Sequence, residues 1–339
     1  MWDANELRHE LRLPLIAAPM FLVSGPELVI AACRAGIVGA FPAPNCRTVT
    51  DLGNWMHQIT DRLVQAVVDE PAGPIGPWAA NLVVHSSYKR LPEELELVER
   101  YRAPLVITAL GSPRMVVNRV HKYGGLVLAD VNSIAHARKA ADVGVDGLVL
   151  VCAGAGGHTG QISPFAFIPA VRKFFQGLIV VAGSVMDGRT VAAVRALGAD
   201  LAYAGTRFIA SKESLAAADY KSMILDAEAE DLICTSAFTG AYANMLRPSI
   251  QRAGLDPDDL TDSRGKPNFS TEKRKKRPWK NIWTAGQGVG MVKSIDTVVD
   301  IVDAFDRQYR DAIEIPFAAL RPNCENSHAE PRMYEKKSP

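Results

Sequence analysis

Eight short apolar runs punctuate the first two thirds of the chain, each followed by a stretch patterned as a helix. They are Leu13–Met20, Ile37–Phe41, Trp78–Val84, Leu105–Thr108, Leu126–Asp130, Asp146–Val151, Leu178–Ala182 and Leu201–Ala204. The runs are near-continuous Val, Ile, Leu and Ala, as in strands covered on both faces. Strand alternating with helix argues a parallel α/β architecture. Eight such units favour a closed (β/α)8 TIM barrel over an open doubly wound sheet. No Gly-x-Gly-x-x-Gly fingerprint follows the first run, which weighs against a dinucleotide-binding fold.

Helices are expected over 26–35, 48–69, 134–143 behind Ser133, 164–175 and 188–197, with Pro92 and Pro113 opening two more. After Arg207 the regularity breaks. Residues 211–235 look helical and 238–247 mixed; 254–281 are charged and carry the basic run Lys273–Arg277. Gln287–Ala312 reads as a helix, because Val289, Val292, Ile295, Val298, Val299, Val302 and Phe305 recur at three and four. The expected organisation is a barrel from 1–210 plus 283–320, an inserted mostly helical segment or lid at 211–282 after the eighth strand, and a mobile tail at 323–339.

The formal charge of +1 gives no global electrostatic case for nucleic acid, and the basic run with Trp279 and Trp283 reads better as a solvated excursion. Five scattered cysteines without a C-x-x-C pair imply neither a metal site nor a disulfide framework. A reducing cytoplasm fits. The charged start Met1–Arg12 lacks an apolar core, so neither a signal peptide nor a membrane span is expected.

The active site of such a barrel lies at the C-terminal ends of its strands. The sixth run empties into Gly154-Ala155-Gly156-Gly157-His158-Thr159-Gly160, a loop built for backbone freedom and close ligand approach. His158 is the candidate acid–base residue, with His85 a weaker one. Runs seven and eight end in Gly183-Ser184 and Gly205-Thr206, where backbone N–H groups and hydroxyls suit a phosphate. Ser184 and Thr206 are equally the residue types that cap helices. Ala18-Pro19-Met20, Asn81 and Asp130 stand at other strand ends. Cys152 reads as a buried hydrophobe.

LPLIAAPM at 13–20, GAGGHTG at 154–160, AGSVMDG at 182–188, ADLAYAGTRF at 199–208 and AGQGVG at 285–290 resemble the nitronate monooxygenase family, FMN-dependent barrels related to flavin-dependent enoyl-ACP reductases. The resemblance implies FMN with its phosphate on Gly183-Ser184 and Gly205-Thr206. Ala18, Pro19 and Met20 would line the ring, Asn81 would bond its pyrimidine or ribityl side, and Gly156 and Gly157 would pass close. Gln287 would close the site, and His158 matches the catalytic histidine. The chain departs from many relatives with Gly154 for Glu, Asp130 where some carry Lys, and Phe21-Leu22-Val23 for small residues. Asp130 would accept from the flavin N3–H. The implied reaction is oxidation of an alkyl nitronate with O2 to a carbonyl compound and nitrite, without a metal. The alternatives are an NAD(P)H-dependent reductase of enoyl thioesters or quinones, and a barrel that binds a phosphorylated ligand or flavin for regulation or storage without turnover. Residues 211–282 would shape a distinct pocket or a homodimer contact.

Overall fold

The structure is a computed structural model that describes residues 2–71, 73–238, 240–260 and 281–314. The first strands are β1 (Leu15–Ala17), β2 (Val38–Pro42), β3 (Trp78–Val83), β4 (Leu105–Ala109), β5 (Leu126–Val131) and β6 (Gly147–Val151). A two-residue β7 (Gly157–His158) lies outside the barrel, and β8 (Leu178–Ala182) and β9 (Leu201–Ala204) return to it. The eight barrel strands are parallel, and β1 closes on β9 with Ile16 opposite Tyr203. Each expected strand is therefore present, in sequence order.

Strand parity divides the core in two. Ile16, Val38, Ala40, Ala79, Ile107, Leu128, Val149, Val180 and Tyr203 meet inside the barrel. Residues of opposite parity, such as Leu15, Ala80, Val106, Val127, Leu148 and Val181, pack under the surrounding helices. Each fully buried Val, Ile or Leu contributes about 1.5–3 kcal/mol relative to exposure. The opening residues form a helix, Ala4–His9, that no apolar run announces. A capping box between Asp3 and Glu6 starts it, and it delivers Leu7 to the barrel interior.

The late segment departs from expectation. The helix begins at Val298, not at Gln287, and runs to Ile313. Thr297 caps it by accepting from Asp300 N–H, and the backbone before it bridges Ser211 to Asp296. Val289 and Val292 are buried beside Tyr220, Trp283 and Leu246, in an irregular stretch with one 3-10 turn, Val289–Met291. Their helical spacing reflects that packing and no helix. The closing helix sits tightly on helix Gly188–Ala196: a Cβ on Gly188 would fall 1.9 Å from the Phe305 carbonyl.

Residues 211–235 are helical only over Ala218–Asp226 and the turn Ala229–Asp231. Then β10 (Leu232–Thr235) pairs antiparallel with β11 (Ala243–Leu246), and β11 pairs with β7. β10 offers four residues and β7 two, too few for periodicity to reveal. The basic run Lys273–Arg277, Trp279 and the tail from Asn323 lie outside the described residues. Among the described residues no helix is long and apolar enough to cross a membrane.

Candidate active site

The loop after β6 turns back at once. Ala155 N–H donates to Cys152 O at 3.2 Å and Ala153 N–H to Ile162 O at 2.9 Å. Gly154 and Gly157 hold φ of +93° and +67°, which a residue with Cβ adopts only under strain. At Gly154 space is limiting as well. A Cβ there would lie 2.5 Å from Ser184 Oγ and 3.0 Å from Gln287 Oε1. The bare position lets the loops after β6 and β8 and the late segment meet.

β7 carries His158 in a ladder rather than in an irregular loop. His158 stands opposite Ala243, and Gly157 opposite Asn244. Thr159 N–H donates to Tyr242 O at 3.0 Å, and the buried Asn244 amide donates to Ala155 O at 2.8 Å. His158 is half-buried and Gly156 exposed. His85, by contrast, sits in the loop after β3 and shares its Nδ1 with Ser87 Oγ at 2.8 Å and Ser87 N–H at 3.2 Å.

The late segment is stitched to this loop. Gln287 N–H donates to Gly154 O at 3.0 Å, and Gly286 N–H to Thr206 Oγ1 at 2.8 Å. Arg207 pairs with Asp296 below that point. Thr206 therefore accepts from the chain and keeps its own O–H to donate. Neither it nor Ser184 caps a helix. Asp187 caps Gly188–Ala196, accepting from Thr190 N–H at 2.8 Å. Gly183 and Ser184 hold φ of +131° and +55°. The left-handed Ser184 is exposed, in a region where a non-glycine residue costs on the order of 1–3 kcal/mol. The backbone N–H groups of Gly183, Ser184, Gly205 and Thr206 donate to no described residue.

Across the mouth, Ala18 is buried, and its N–H extends the β9 ladder to Ala204 O at 2.9 Å. Pro19 ends that extension, since it has no N–H to offer. Met20 is half-buried, and its thioether and the Ala18 methyl both face Gly205. Ser24 and Asn45 hold this turn: Ser24 Oγ donates to Ala18 O at 3.1 Å, and the Asn45 amide donates to Ser24 O at 2.7 Å and Met20 O at 3.1 Å. Phe21 and Leu22 are left on the surface, 47% and 43% exposed, as an apolar lip.

Inside the mouth, parity brings Asn81, Asp130 and Tyr203 to the barrel interior. The Asn81 amide donates to Ile107 O at 3.2 Å. Asp130 Oδ1 and Tyr203 Oη are buried and bond to no described residue. Desolvation alone pushes the Asp130 carboxyl up to about 7. It also raises the Tyr203 phenol, with the nearby Asp130 charge adding to the effect. Cys152 is fully buried and its thiol is pushed up to about 12 by desolvation, as suits an inert core residue.

All the residues singled out from the sequence thus stand on strand ends or loops of one barrel face, or on the segment stitched to it. Tyr203, Asn244, Ser24 and Asn45 were not among them. Tyr203 was detectable, because a phenol in an otherwise apolar strand shares the inward parity of Gly205. Asn244 carries no local signal, since its partner is 89 residues away.

A closed (β/α)8 barrel whose C-terminal face combines a histidine, a glycine loop and orphaned polar groups is an enzyme of the barrel class. The sequence profile of nitronate monooxygenase matches residues 6–305, so the chain belongs to that family of flavin-dependent oxidoreductases. It is 27% identical over 346 residues to a nitronate monooxygenase of Paraburkholderia phytofirmans, covering 89% of this chain and 93% of that one. It is 26% identical over 240 residues to a Mycobacterium tuberculosis (3aS,4S,5R,7aS)-5-hydroxy-7a-methyl-1-oxo-octahydro-1H-indene-4-carboxyl-CoA dehydrogenase, with 70% and 64% covered. Among solved structures it shares its fold with FabK from Thermotoga maritima, at TM-score 0.73, 22% identity and 93% and 98% coverage. Nitroalkane oxidase from Streptomyces ansochromogenes gives TM-score 0.72, 22% identity and 92% and 99% coverage.

Proposed function

We propose that the barrel mouth binds FMN and that the protein oxidises alkyl nitronates with O2, releasing a carbonyl compound and nitrite. The family supplies the class of chemistry. The observation that carries the reading is His158, fixed in the β7–β11 ladder at the C-terminal end of β6 and beside the exposed Gly156.

The residues fit a flavin. Bare N–H groups at Gly183-Ser184 and Gly205-Thr206 suit its phosphate. Ala18, Pro19 and Met20 offer an apolar wall for a flat ring, with Gly156 and Gly157 passing close and Gln287 closing the site. Asn81 is the proposed partner of the pyrimidine or ribityl side. The buried, unpartnered Asp130 and Tyr203 atoms are the kind of group that a polar heterocycle satisfies. When bound, FMN would supply the electron transfer. The protein's part is to hold the nitronate by hydrogen bonds from His158, or to take the α-proton of a neutral nitroalkane on that imidazole. The described part of the late insertion, residues 211–238 and 240–260, acts in this account as a small subdomain beside the barrel mouth. The proposed location is the cytoplasm and the proposed partners are small molecules, the nitronate and O2.

The second reading is an NAD(P)H-dependent reductase of enoyl thioesters or quinones. The match to a carboxyl-CoA dehydrogenase and the exposed lip of Phe21 and Leu22 favour it. Nitrite release and O2 uptake with a nitronate, against anaerobic flavin bleaching by NADH or NADPH, separate the two. A holoprotein that consumes no O2 with any nitronate, yet bleaches with a reduced nicotinamide, overturns the first.

A further inference from the structure

We propose that Tyr220, on the helix Ala218–Asp226 that follows the barrel strands, is a positioning residue: its hydroxyl seats the strip Thr284–Gln287 against the glycine loop and so holds the mouth in the shape that retains the flavin. The inference rests on the flavin reading above and gives the late insertion a task in it.

The strip meets the site at several points. Gly286 N–H donates to Thr206 Oγ1 at 2.8 Å, and Gln287 N–H to Gly154 O at 3.0 Å. A Cβ on Gly156 would fall 2.8 Å from backbone atoms of both Ala285 and Gly286. Thr284 Oγ1 lies 4.0 Å from the place of a Cβ on Gly157, the neighbour of His158. A displaced strip is therefore felt at the corner of Thr206 and along the loop that carries the histidine.

What fixes the strip comes from the insertion. Thr284 stands opposite Met245 of β11 in an antiparallel bridge, and Leu246 N–H donates to Trp283 O at 2.8 Å. Bonded and non-bonded pairs alternate along such a ladder, so Thr284 turns its own N–H and C=O away from β11. Both end on one atom. Tyr220 Oη donates to Thr284 O at 2.6 Å and accepts from Thr284 N–H at 3.3 Å. A hydroxyl can do both at once, and a phenylalanine ring can do neither. The Tyr220 ring is buried and stacks on Trp283, with centroids 4.8 Å apart and planes at 16°. Arg252, which ends the helix Arg247–Arg252, sets its guanidinium carbon 3.7 Å from the Trp283 ring centre. Trp283 N–H donates to Ser249 Oγ at 2.8 Å. Trp283 is thus held by ring and backbone, one residue ahead of the peptide that Tyr220 grips. Tyr220 acts through the strip and not on the substrate.

The test compares the full chain with Tyr220→Phe, which keeps the ring stack and removes the hydroxyl. In the flavin-free protein, hydrogen exchange at Gly286 and Gln287 should quicken about tenfold or more, while the helix Gly188–Ala196 exchanges as in wild type. FMN should bind about tenfold more weakly, because only the seated fraction is competent, and the visible spectrum at saturation should match wild type. Arg252→Gln leaves the hydroxyl bonds in place and should weaken FMN about two- to fivefold. Tyr220→Phe is then combined with Thr206→Val, which removes the acceptor of Gly286 N–H. The two losses of FMN affinity should fall short of additive, since both act through one strip. Circular dichroism confirms that each variant is folded. Unchanged exchange at Gly286 and Gln287 in Tyr220→Phe overturns the inference and leaves the flavin reading intact. Faster exchange spread evenly over the barrel does the same, because the hydroxyl would then serve general stability, and so do fully additive losses. A wild type that takes up no FMN overturns both.

Discussion

The Asn244 side chain donates to the Ala155 carbonyl at 2.8 Å, and that bond joins β11 to the glycine loop one ladder step from His158. The histidine is thereby positioned by a segment that comes some eighty residues later in the chain. Substituting Asn244→Ala leaves a buried carbonyl unpaired, at a cost of about 1–3 kcal/mol. Urea denaturation should show that loss. Turnover should fall more than FMN affinity, because the phosphate corners at Gly183-Ser184 and Gly205-Thr206 do not touch Asn244 in this account.

Gly154 admits no side chain. Its φ of +93° and the 2.5 Å approach to Ser184 Oγ both oppose a methyl group. Gly154→Ala should lower stability by about 1–3 kcal/mol and weaken flavin retention by displacing Ser184 or Gln287. A thermal melt and a flavin-release assay check the two parts separately.

Much of this was legible in the residues, and for physical reasons. The barrel strands are continuous apolar runs because both faces are covered, and their ends mark the mouth. Gly154, Gly156 and Gly157 stand out because backbone freedom has few other sources. Other parts were not legible. Val289 and Val292 imitate a helix because an irregular segment buries them against Trp283 and Tyr220, while Thr297 starts the real helix. β7 is two residues long and exists through its pairing with Ala243 and Asn244. Ser184 and Thr206 are chemically capable of capping, and only the structure assigns that task to Asp187 and the Thr206 hydroxyl to Gly286.

Asp130 makes the stability of the flavin-free protein fall as pH rises from acid to neutral. An unfolded carboxyl titrates at about 4, whereas burial pushes the native group up to about 7. Across that window the folded chain holds a proton that the unfolded chain has lost. The native state therefore binds more protons, and stability falls as pH rises from 4 to 7. Above the native value the full penalty is present, at most about 4 kcal/mol for a shift of this size. Asp130→Asn should remove it. The variant should exceed wild type in stability at pH 8, and the difference should vanish towards pH 4, as read from urea midpoints at both ends.

Gly188 tests the packing that holds the late segment in place. A methyl there would strike the Phe305 carbonyl at 1.9 Å and Tyr309 N at 2.3 Å, both backbone atoms. Gly188→Ala should push the closing helix Val298–Ile313 away and cost several kcal/mol, in the range of severe overpacking. Limited proteolysis should cut near residue 297 in the variant before wild type.

The central claim is that a flavin at the barrel mouth works with His158. Its most direct test is anaerobic addition of an alkyl nitronate to FMN-loaded wild type and His158→Ala, followed by visible absorbance. Wild type should lose its blue absorption band rapidly, and the variant should stay yellow or bleach roughly 10–100 times more slowly, the loss of a hydrogen bond to the charged nitronate, with FMN still bound. A colourless protein that takes up no FMN, or a variant that bleaches as fast as wild type, would contradict the account.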